Sequence, residues 1–178
     1  MSNSSVFAFN IATLTGTFYS SAQIGFADNG IAVDHQGNIW LANTASYNVI
    51  ELNGSTGAVL SPSGGITGGG LSSSSRPMGI AIDGAGNVWT ANDGNLSEFN
   101  GVTGAAISPS SGIVTYSSAA FYPTVAIDGS GNVWAPIEFF NDNYTDYGNL
   151  VVEYVGAAAP VVTPLAAGVK NNSLGTRP

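Results

Sequence analysis

Acidic, amide and aromatic side chains recur at fixed spacing in this 178-residue chain. Asp34, Asp83 and Asp128 lie 49 and 45 residues apart, and each precedes an asparagine by four residues and a tryptophan by six. Carboxylate and amide oxygens are ligands for Ca²⁺, and a row of tryptophans can stack on a sugar or a quaternary amine. Equivalent positions of stacked repeats stay far apart, however, so the pattern favours aspartates that cap turns and tryptophans that pack between repeats.

Two further residue types could take part in catalysis. His35 is the only histidine, and it follows Asp34 in a turn with no partner that would position it as a general base, so we expect an exposed turn residue. Glu51, Glu98 and Glu153 repeat on an outer strand, where the sequence predicts a solvated edge. We therefore assign no catalytic residue, no metal ligand and no cofactor, with Ca²⁺ left open.

One aromatic and acidic stretch is not required by the repeats. Residues 138–147 read EFFNDNYTDY, and aromatic rings beside amide and carboxylate groups are typical of a carbohydrate or protein contact, or of a calcium clamp. The spacing does not match an EF-hand. The alternative is an irregular insertion that packs on its own repeat. The predicted ligand-binding residues are Phe139, Phe140, Asp142, Tyr144, Asp146 and Tyr147.

A repeated phrase must position these residues. Gly79–Trp89 reads GIAIDGAGNVW, and close copies stand at Gly30–Trp40 and Thr124–Trp134. A period in the forties is typical of a propeller blade. Each copy predicts four strands: strand a ends before the aspartate, strand b carries the tryptophan, strand c carries the glutamate, and strand d follows an Asn-Gly corner. No segment has a helical period, so the predicted fold is all-β.

The flanking segments complete the predicted organisation. Val6–Leu14 repeats the c–d pattern as a strand-turn-strand unit, with Asn10 equivalent to Asn53 and Asn100. An insertion of roughly 136–148 enlarges the third repeat. We predict a single repeat domain, 1–178, divided into an outer half-blade (1–25), a blade at 26–62 with a connector to 76, a blade at 77–109 with a connector to 121, a blade at 122–164 and a tail at 165–178.

The phrase is most complete at Pro77–Asn92, where it resembles the NHL-type repeat and the similar repeats of streptogramin B lyase-like propellers. The resemblance covers about Phe26–Thr163. It implies a β-propeller of four-stranded antiparallel blades, with strand a innermost and any binding site in the loops of one face. The lyases need a histidine and a nearby metal, and lactonase-type propellers use Glu, Asn and Asp around a divalent ion. The matching stretches after strand b, 43–47 and 92–95, contain no histidine, which disfavours lyase activity.

The count of blades leaves the ring incomplete. Three blades and one outer half are present, whereas a closed propeller takes about four to eight blades. Open blade edges and faces favour pairing with another chain. We therefore predict that the chain forms a homo-oligomer or is completed by the remaining blades of a longer propeller.

Composition restricts the remaining functions. The net charge is −8, with only 3 basic residues, which argues against nucleic acid as a partner because phosphate binding needs clustered cations. There is no cysteine and no apolar run that predicts a signal peptide or a membrane span. The protein is therefore either cytosolic or a mature exported protein whose signal has been removed. The Gly-rich, Lys-poor composition favours the exported protein, extracellular or periplasmic.

The resulting hypothesis is a non-enzymatic exported propeller-type module that presents loops to a protein or carbohydrate ligand and associates with itself through its open blade edges. One alternative is a metal-dependent lyase or lactonase-type enzyme whose site is completed by missing blades. The other is a subunit of an extracellular polymer.

Overall fold

The computed structural model describes residues 4–25, 28–114, 120–140 and 146–161. Within them the chain forms twelve strands and no helix long and apolar enough to cross a membrane. The all-β prediction is confirmed. The strands are β1 (Ser5–Asn10), β2 (Thr15–Ser20), β3 (Asp28–Val33), β4 (Ile39–Asn43), β5 (Asn48–Leu52), β6 (Pro77–Ile82), β7 (Val88–Asn92), β8 (Leu96–Phe99), β9 (Ala120–Phe121), β10 (Ala126–Ile127), β11 (Val133–Phe140) and β12 (Asp146–Tyr154).

These strands form four antiparallel sheets that follow the sequence repeats. The N-terminal hairpin contains β1 and β2; blade 1 has the order β3-β4-β5, blade 2 the order β6-β7-β8, and blade 3 the order β10-β11-β12 with β9 paired to β11. Consecutive strands of each blade are neighbours, as expected for a meander joined by tight turns. The repeated phrase therefore forms the first two strands of each blade.

The inner strands of the three blades lie side by side, because β6 contacts both β3 and β10. A glycine in the repeated phrase makes this approach possible. A Cβ atom on Gly30 would lie 2.7 Å from the carbonyl oxygen of Met78, and one on Gly79 would lie 2.5 Å from the Cα of Thr124. The third copy of the phrase has Thr124 at this position, and no further inner strand follows it in the described part of the chain.

Apolar residues fill the space between each pair of neighbouring sheets, as in any stack of sheets that buries one face on the next. Three clusters result. The cluster between the hairpin and blade 1 contains Tyr19, Ile24, Ile39, Leu41, Ile50 and Leu52. The cluster between blades 1 and 2 contains Trp40, Ala42, Val49, Ile66, Leu71, Ile80, Val88 and Phe99. The cluster between blades 2 and 3 contains Trp89, Ala91, Leu96, Ala120, Tyr122, Val125, Val133, Ala135 and Ile137. The core is thus divided among the junctions.

The fourth strand of blades 1 and 2 is less regular than the sequence predicts. In its place the chain makes only isolated bridges, Leu52 with Val59 in blade 1 and Phe99 with Ala106 in blade 2. The reason is that the chain leaves the edge of the third strand at Ser61 in blade 1 and at Ser108 in blade 2, after a single bridged pair of residues. The connector that follows then returns and forms another bridge at the start of the same third strand. Pro77 is the first residue of β6, a place where a missing N–H is tolerated.

The N-terminal hairpin has the predicted c–d geometry with a later second strand. The side chain of Asn10 accepts hydrogen bonds from the backbone N–H groups of Ala12 and Thr13, at 2.9 and 3.1 Å. Asn53 and Asn100 cap their turns in the same way. Leu14 has φ +55°, the conformation held by glycine in the other two turns. The turn therefore occupies 11–14, and the second strand begins only at Thr15.

We expect Gly79→Ala to destabilise the protein by about 1–3 kcal/mol, because the added methyl group would push β6 away from β10. Gly129→Ala is the matched control: its Cβ would meet only the carbonyl oxygen of Val161, at 3.7 Å, so we expect a change within about 0.5 kcal/mol. Urea unfolding of both variants measures the difference. Equal destabilisation would contradict the close approach of the inner strands.

Candidate functional site

The repeated aspartates cap the turn between the first two strands of each blade. In blade 1 Asp34 Oδ1 accepts from the backbone N–H groups of Gln36 and Asn38, at 2.9 and 2.8 Å, and Oδ2 accepts from the indole N–H of Trp40 at 2.9 Å. Asp128 makes the same three contacts in blade 3. Because these lone pairs are engaged within the blade, the geometry supports turn capping, as the sequence predicts.

The hydrogen bonds on Asp128 also affect its acidity. The indole N–H of Trp134, followed by the backbone N–H of Asn132, lowers the pKa of this carboxyl from 3.8 to about 2. A lowered folded-state pKa means that the ionised cap contributes stability above pH 3.8, and that this contribution is lost as the pH falls towards 2. The cap therefore remains charged at neutral pH.

Blade 2 departs from this pattern. Asp83 caps its own turn through Oδ1, but Oδ2 accepts the backbone N–H of Ala159 at 3.1 Å. The buried indole N–H of Trp89 has no hydrogen-bond partner among the described residues. Ala159 belongs to the segment after β12, which also bonds Gly84 and Gly131. This segment crosses the turns of blades 2 and 3, whereas the tail predicted at 165–178 lies outside the described residues.

No described group of three acidic or histidine side chains is placed to hold a metal ion. His35 is exposed, as predicted, and its Nε2 lies 2.9 Å from the amide nitrogen of Gln36.

The prediction of a solvated edge is wrong for two of the three repeated glutamates. Glu51 and Glu98 lie opposite Trp40 and Trp89 on the faces that turn towards the next blade, so they are half-buried. Each accepts a hydrogen bond from an asparagine side chain, at 3.0 and 3.2 Å. Burial, and next the charge of Asp34 or Asp83, raises the pKa of each carboxyl. Glu153 is exposed as predicted.

The predicted ligand-binding stretch is partly strand. β11 and β12 run beyond the length of their counterparts, so the insertion extends the hairpin of blade 3. Phe139 is partly buried against the cluster between blades 2 and 3, and the backbones of Phe140 and Asp146 are paired across the two strands. Tyr147 lies in β12. Asp142 and Tyr144 lie outside the described residues. Ligand binding by this set stays a prediction.

A buried polar cluster at the end of β7 was not predicted. The side-chain amide of Asn92 donates to Asn95 Oδ1 and Ser97 Oγ, at 2.7 and 2.8 Å, and Asn95 donates to Ser75 Oγ at 2.8 Å. The guanidinium of Arg76 pairs with Asp93 at 2.6 Å. This cluster occupies the stretch in which the lyase resemblance would require a histidine, and it ties the connector to the loop after β7. The only sequence signal was the asparagine shared by the ends of β4 and β7.

Comparison with known proteins identifies the fold. No family model matches the chain, and no curated protein is similar to it in sequence. A catalytically inactive virginiamycin B lyase from Staphylococcus aureus, solved with quinupristin, superposes with a TM-score of 0.61 at 13% identity, over 92% of this chain and 50% of the lyase. Regucalcin, a calcium-binding protein from Agrobacterium tumefaciens, gives 0.55 at 14% identity, over 88% and 55%.

A third similar structure is PorZ, a bacterial surface component of the type-IX secretion system of Porphyromonas gingivalis. Its TM-score is 0.54 at 12% identity, over 81% of this chain and 24% of PorZ. Identities this low establish the fold alone. The chain has a β-propeller fold of the NHL and streptogramin B lyase type, as its repeats predict, and it spans about half the length of the lyase and regucalcin structures.

The half-buried glutamates lead to a pH-dependent prediction. Since their folded-state pKa is raised, ionisation opposes folding near neutral pH, and this cost disappears as the pH falls through that pKa. Glu51→Gln and Glu98→Gln keep a hydrogen-bond acceptor without the charge, so each should raise Tm by about 1–3 °C at pH 7 and have little effect at pH 4. Differential scanning calorimetry measures this change. Exposed Glu153→Gln, measured at a concentration at which the protein is monomeric, is the control, and an equal gain there or at pH 4 would refute the explanation.

Proposed function

We propose that this protein is a non-enzymatic, exported propeller-type interaction module that presents loops for binding and associates with copies of itself through its open blade faces. The observation that carries the proposal is the exposure of Trp134. The equivalent Trp40 and Trp89 are 1% exposed, whereas Trp134 is 37% exposed. The difference arises because a following blade covers the first two indoles and none follows the third in the described residues.

The forward face of each blade, meaning the face turned to the following blade, makes the same contact at both junctions. Trp40 packs with Ile80 and Val88 of blade 2, and Trp89 packs with Val125 and Val133 of blade 3. On blade 3 the forward face carries Ala126, Trp134 and Val151, and all three are exposed. Val151 lies opposite Pro136 on the same face as Trp134. Glu153 lies opposite Trp134 on this face, as Glu51 and Glu98 do on theirs. A largely apolar surface of this kind is typical of a protein contact.

The other end of the stack exposes the complementary backward face. Phe7, Phe9 and Phe18 project from the N-terminal hairpin and pack on one another, with ring centroids 6.1 Å apart for Phe7 and Phe9 and 4.5 Å apart for Phe7 and Phe18. All three are exposed. The equivalents of Phe7 and Phe9 in blade 1 are Ile50 and Leu52, which are fully buried beneath the hairpin.

These two faces support head-to-tail association. Within the chain, a forward face always packs on a backward face, and the ends leave one of each uncovered. A contact between two different faces produces a ring or a filament, depending on whether the rotation closes. The filament case corresponds to a subunit of an extracellular polymer.

The absence of an enzymatic role is supported by the stretches after β4 and β7, which lack histidine and are filled, in blade 2, by polar side chains bonded to one another. The aromatic residues of the blade 3 insertion are the proposed ligand contact, with a protein or carbohydrate as ligand. Export is supported by the low content of lysine and by the likeness in fold to a bacterial surface component.

Head-to-tail association can be tested by complementation. Val151→Asp blocks only the forward face and Phe9→Asp only the backward face, so we expect each variant to be monomeric while the wild type associates. Mixed in equal amounts, the two variants should form a dimer through the one intact pair of faces. Mass photometry and analytical ultracentrifugation measure the masses.

The control is Val102→Asp, at a turn residue that is 90% exposed and lies on neither face; it should associate like the wild type. A monomeric wild type at all accessible concentrations would refute association. Dimers that persist in either single variant would refute the assignment of the faces.

The non-enzymatic proposal predicts that Ca²⁺, Mg²⁺ and Mn²⁺ leave Tm unchanged. A metal that binds only the native state stabilises it by mass action, by about 2.7 kcal/mol at one hundred times the Kd. Thermal unfolding at 1–10 mM of each ion, about the range that covers weak extracellular calcium sites, provides the test, with NaCl at equal ionic strength as the control. An increase of several degrees with any one ion would favour the metal-dependent alternative.

A further inference from the structure

The N-terminal hairpin has an unpaired backbone edge. β1 pairs only with β2 among the described residues, whereas the equivalent strands β5 and β8 also pair with an inner neighbour. The N–H and C=O groups along the other edge of β1 are therefore available to a further strand. A free edge of six residues is long enough to take one.

An apolar recess lies beside this edge, on the inner strand of blade 1. Ile31 and Val33 of β3 are each 60% exposed. The equivalents of Ile31 in blades 2 and 3 are Ile80 and Val125, which are 9% and 6% exposed because the preceding blade covers them. The hairpin covers the middle and outer strands of blade 1 but not β3, since it lacks the two strands that would do so.

The chain itself shows what fills such a recess. At the next junction, the indole of Trp40 packs against Ile80, Val88 and Phe99. The equivalent residues of blade 1 are Ile31, Ile39 and Leu52. Ile39 and Leu52 are already covered by the hairpin, at 9% and 0% exposed, so the open part of the recess is Ile31 with Val33, and no described indole lies over it.

We propose that the recess is the docking site for a two-stranded segment, the inner strand pair of a further blade, which adds to the edge of β1. The second strand of this segment would pair with β1 and place an aromatic side chain opposite Ala8. The reason is that Ala8 is equivalent to Glu51 and Glu98, and each of these glutamates lies opposite the tryptophan of its own blade. The small Ala8 leaves room for that ring. Backbone pairing supplies the affinity and the ring supplies the specificity, as in other cases of strand addition.

A second copy of the chain does not fit this role. The strands that would have to pair with β1 are β4, β7 and β11, and each is already paired on both sides. Because the described strands of a second copy are not free to pair there, the proposed occupant is a strand pair from another blade, and the site is separate from the head-to-tail contact proposed above.

The test adds the missing strands to the full chain. A copy of Pro77–Asn92 is joined directly before Asn3, so that Asn3, Ser4 and Ser5 replace the three-residue loop that follows β7. We expect a higher Tm and hydrogen exchange slowed about tenfold or more at the β1 amides that do not face β2, measured by NMR at low concentration. Complementation of Phe9→Asp by Val151→Asp is scored separately, so that failure of self-association does not decide this result.

Two matched variants show whether the recess is responsible. Trp89→Ser within the added copy, or Ile31→Asp in the extended chain, should abolish both effects while the unextended Ile31→Asp protein keeps its circular dichroism spectrum. No added protection at β1 in the extended chain would overturn the proposal. Protection of β1 that rises with concentration in the unextended Phe9→Asp variant, which cannot associate through the backward face, would also overturn it, because a second copy would then occupy the edge.

Discussion

The contact between consecutive sheets is the constraint on which the rest of this structure depends. Each blade carries apolar side chains on both faces, so a single sheet has no stable arrangement alone, and stability comes from the junctions. The glycine of the inner strand brings neighbouring sheets close enough for an indole to be buried between them. Where no next blade follows in the described residues, the indole lacks a partner surface, which is the state of Trp134.

The turn after each inner strand connects local structure to this packing. One aspartate caps the turn with one oxygen and binds the blade's own indole with the other. A short-range interaction thereby orients the side chain that makes the long-range contact. In blade 2 the segment after β12 takes the second oxygen, so Asp83 connects blades 2 and 3 and Trp89 is held by packing alone.

The described polar residues are mainly used for structure. Aspartates cap turns, asparagines close corners, and the buried cluster around Asn92 ties a connector to its blade. The repeats do not use three surfaces internally, and we propose recognition there: the extended hairpin of blade 3, the two end faces, and the edge of β1. The fold, shared with a lyase, a calcium-binding protein and a surface component, does not by itself assign a role.

The sequence by itself determined the repeat, the all-β class, the turn aspartates and the asparagine corners, because each depends on residues close together in the chain. Tertiary structure decided what identical residues do. Trp40 and Trp134 share one motif and differ in exposure because only the first has a neighbouring blade, and Glu51 is half-buried although its strand is an outer one, because its side chain faces that same neighbour. Which part of a chain covers which face depends on long-range contacts, and no local pattern of residues encodes them.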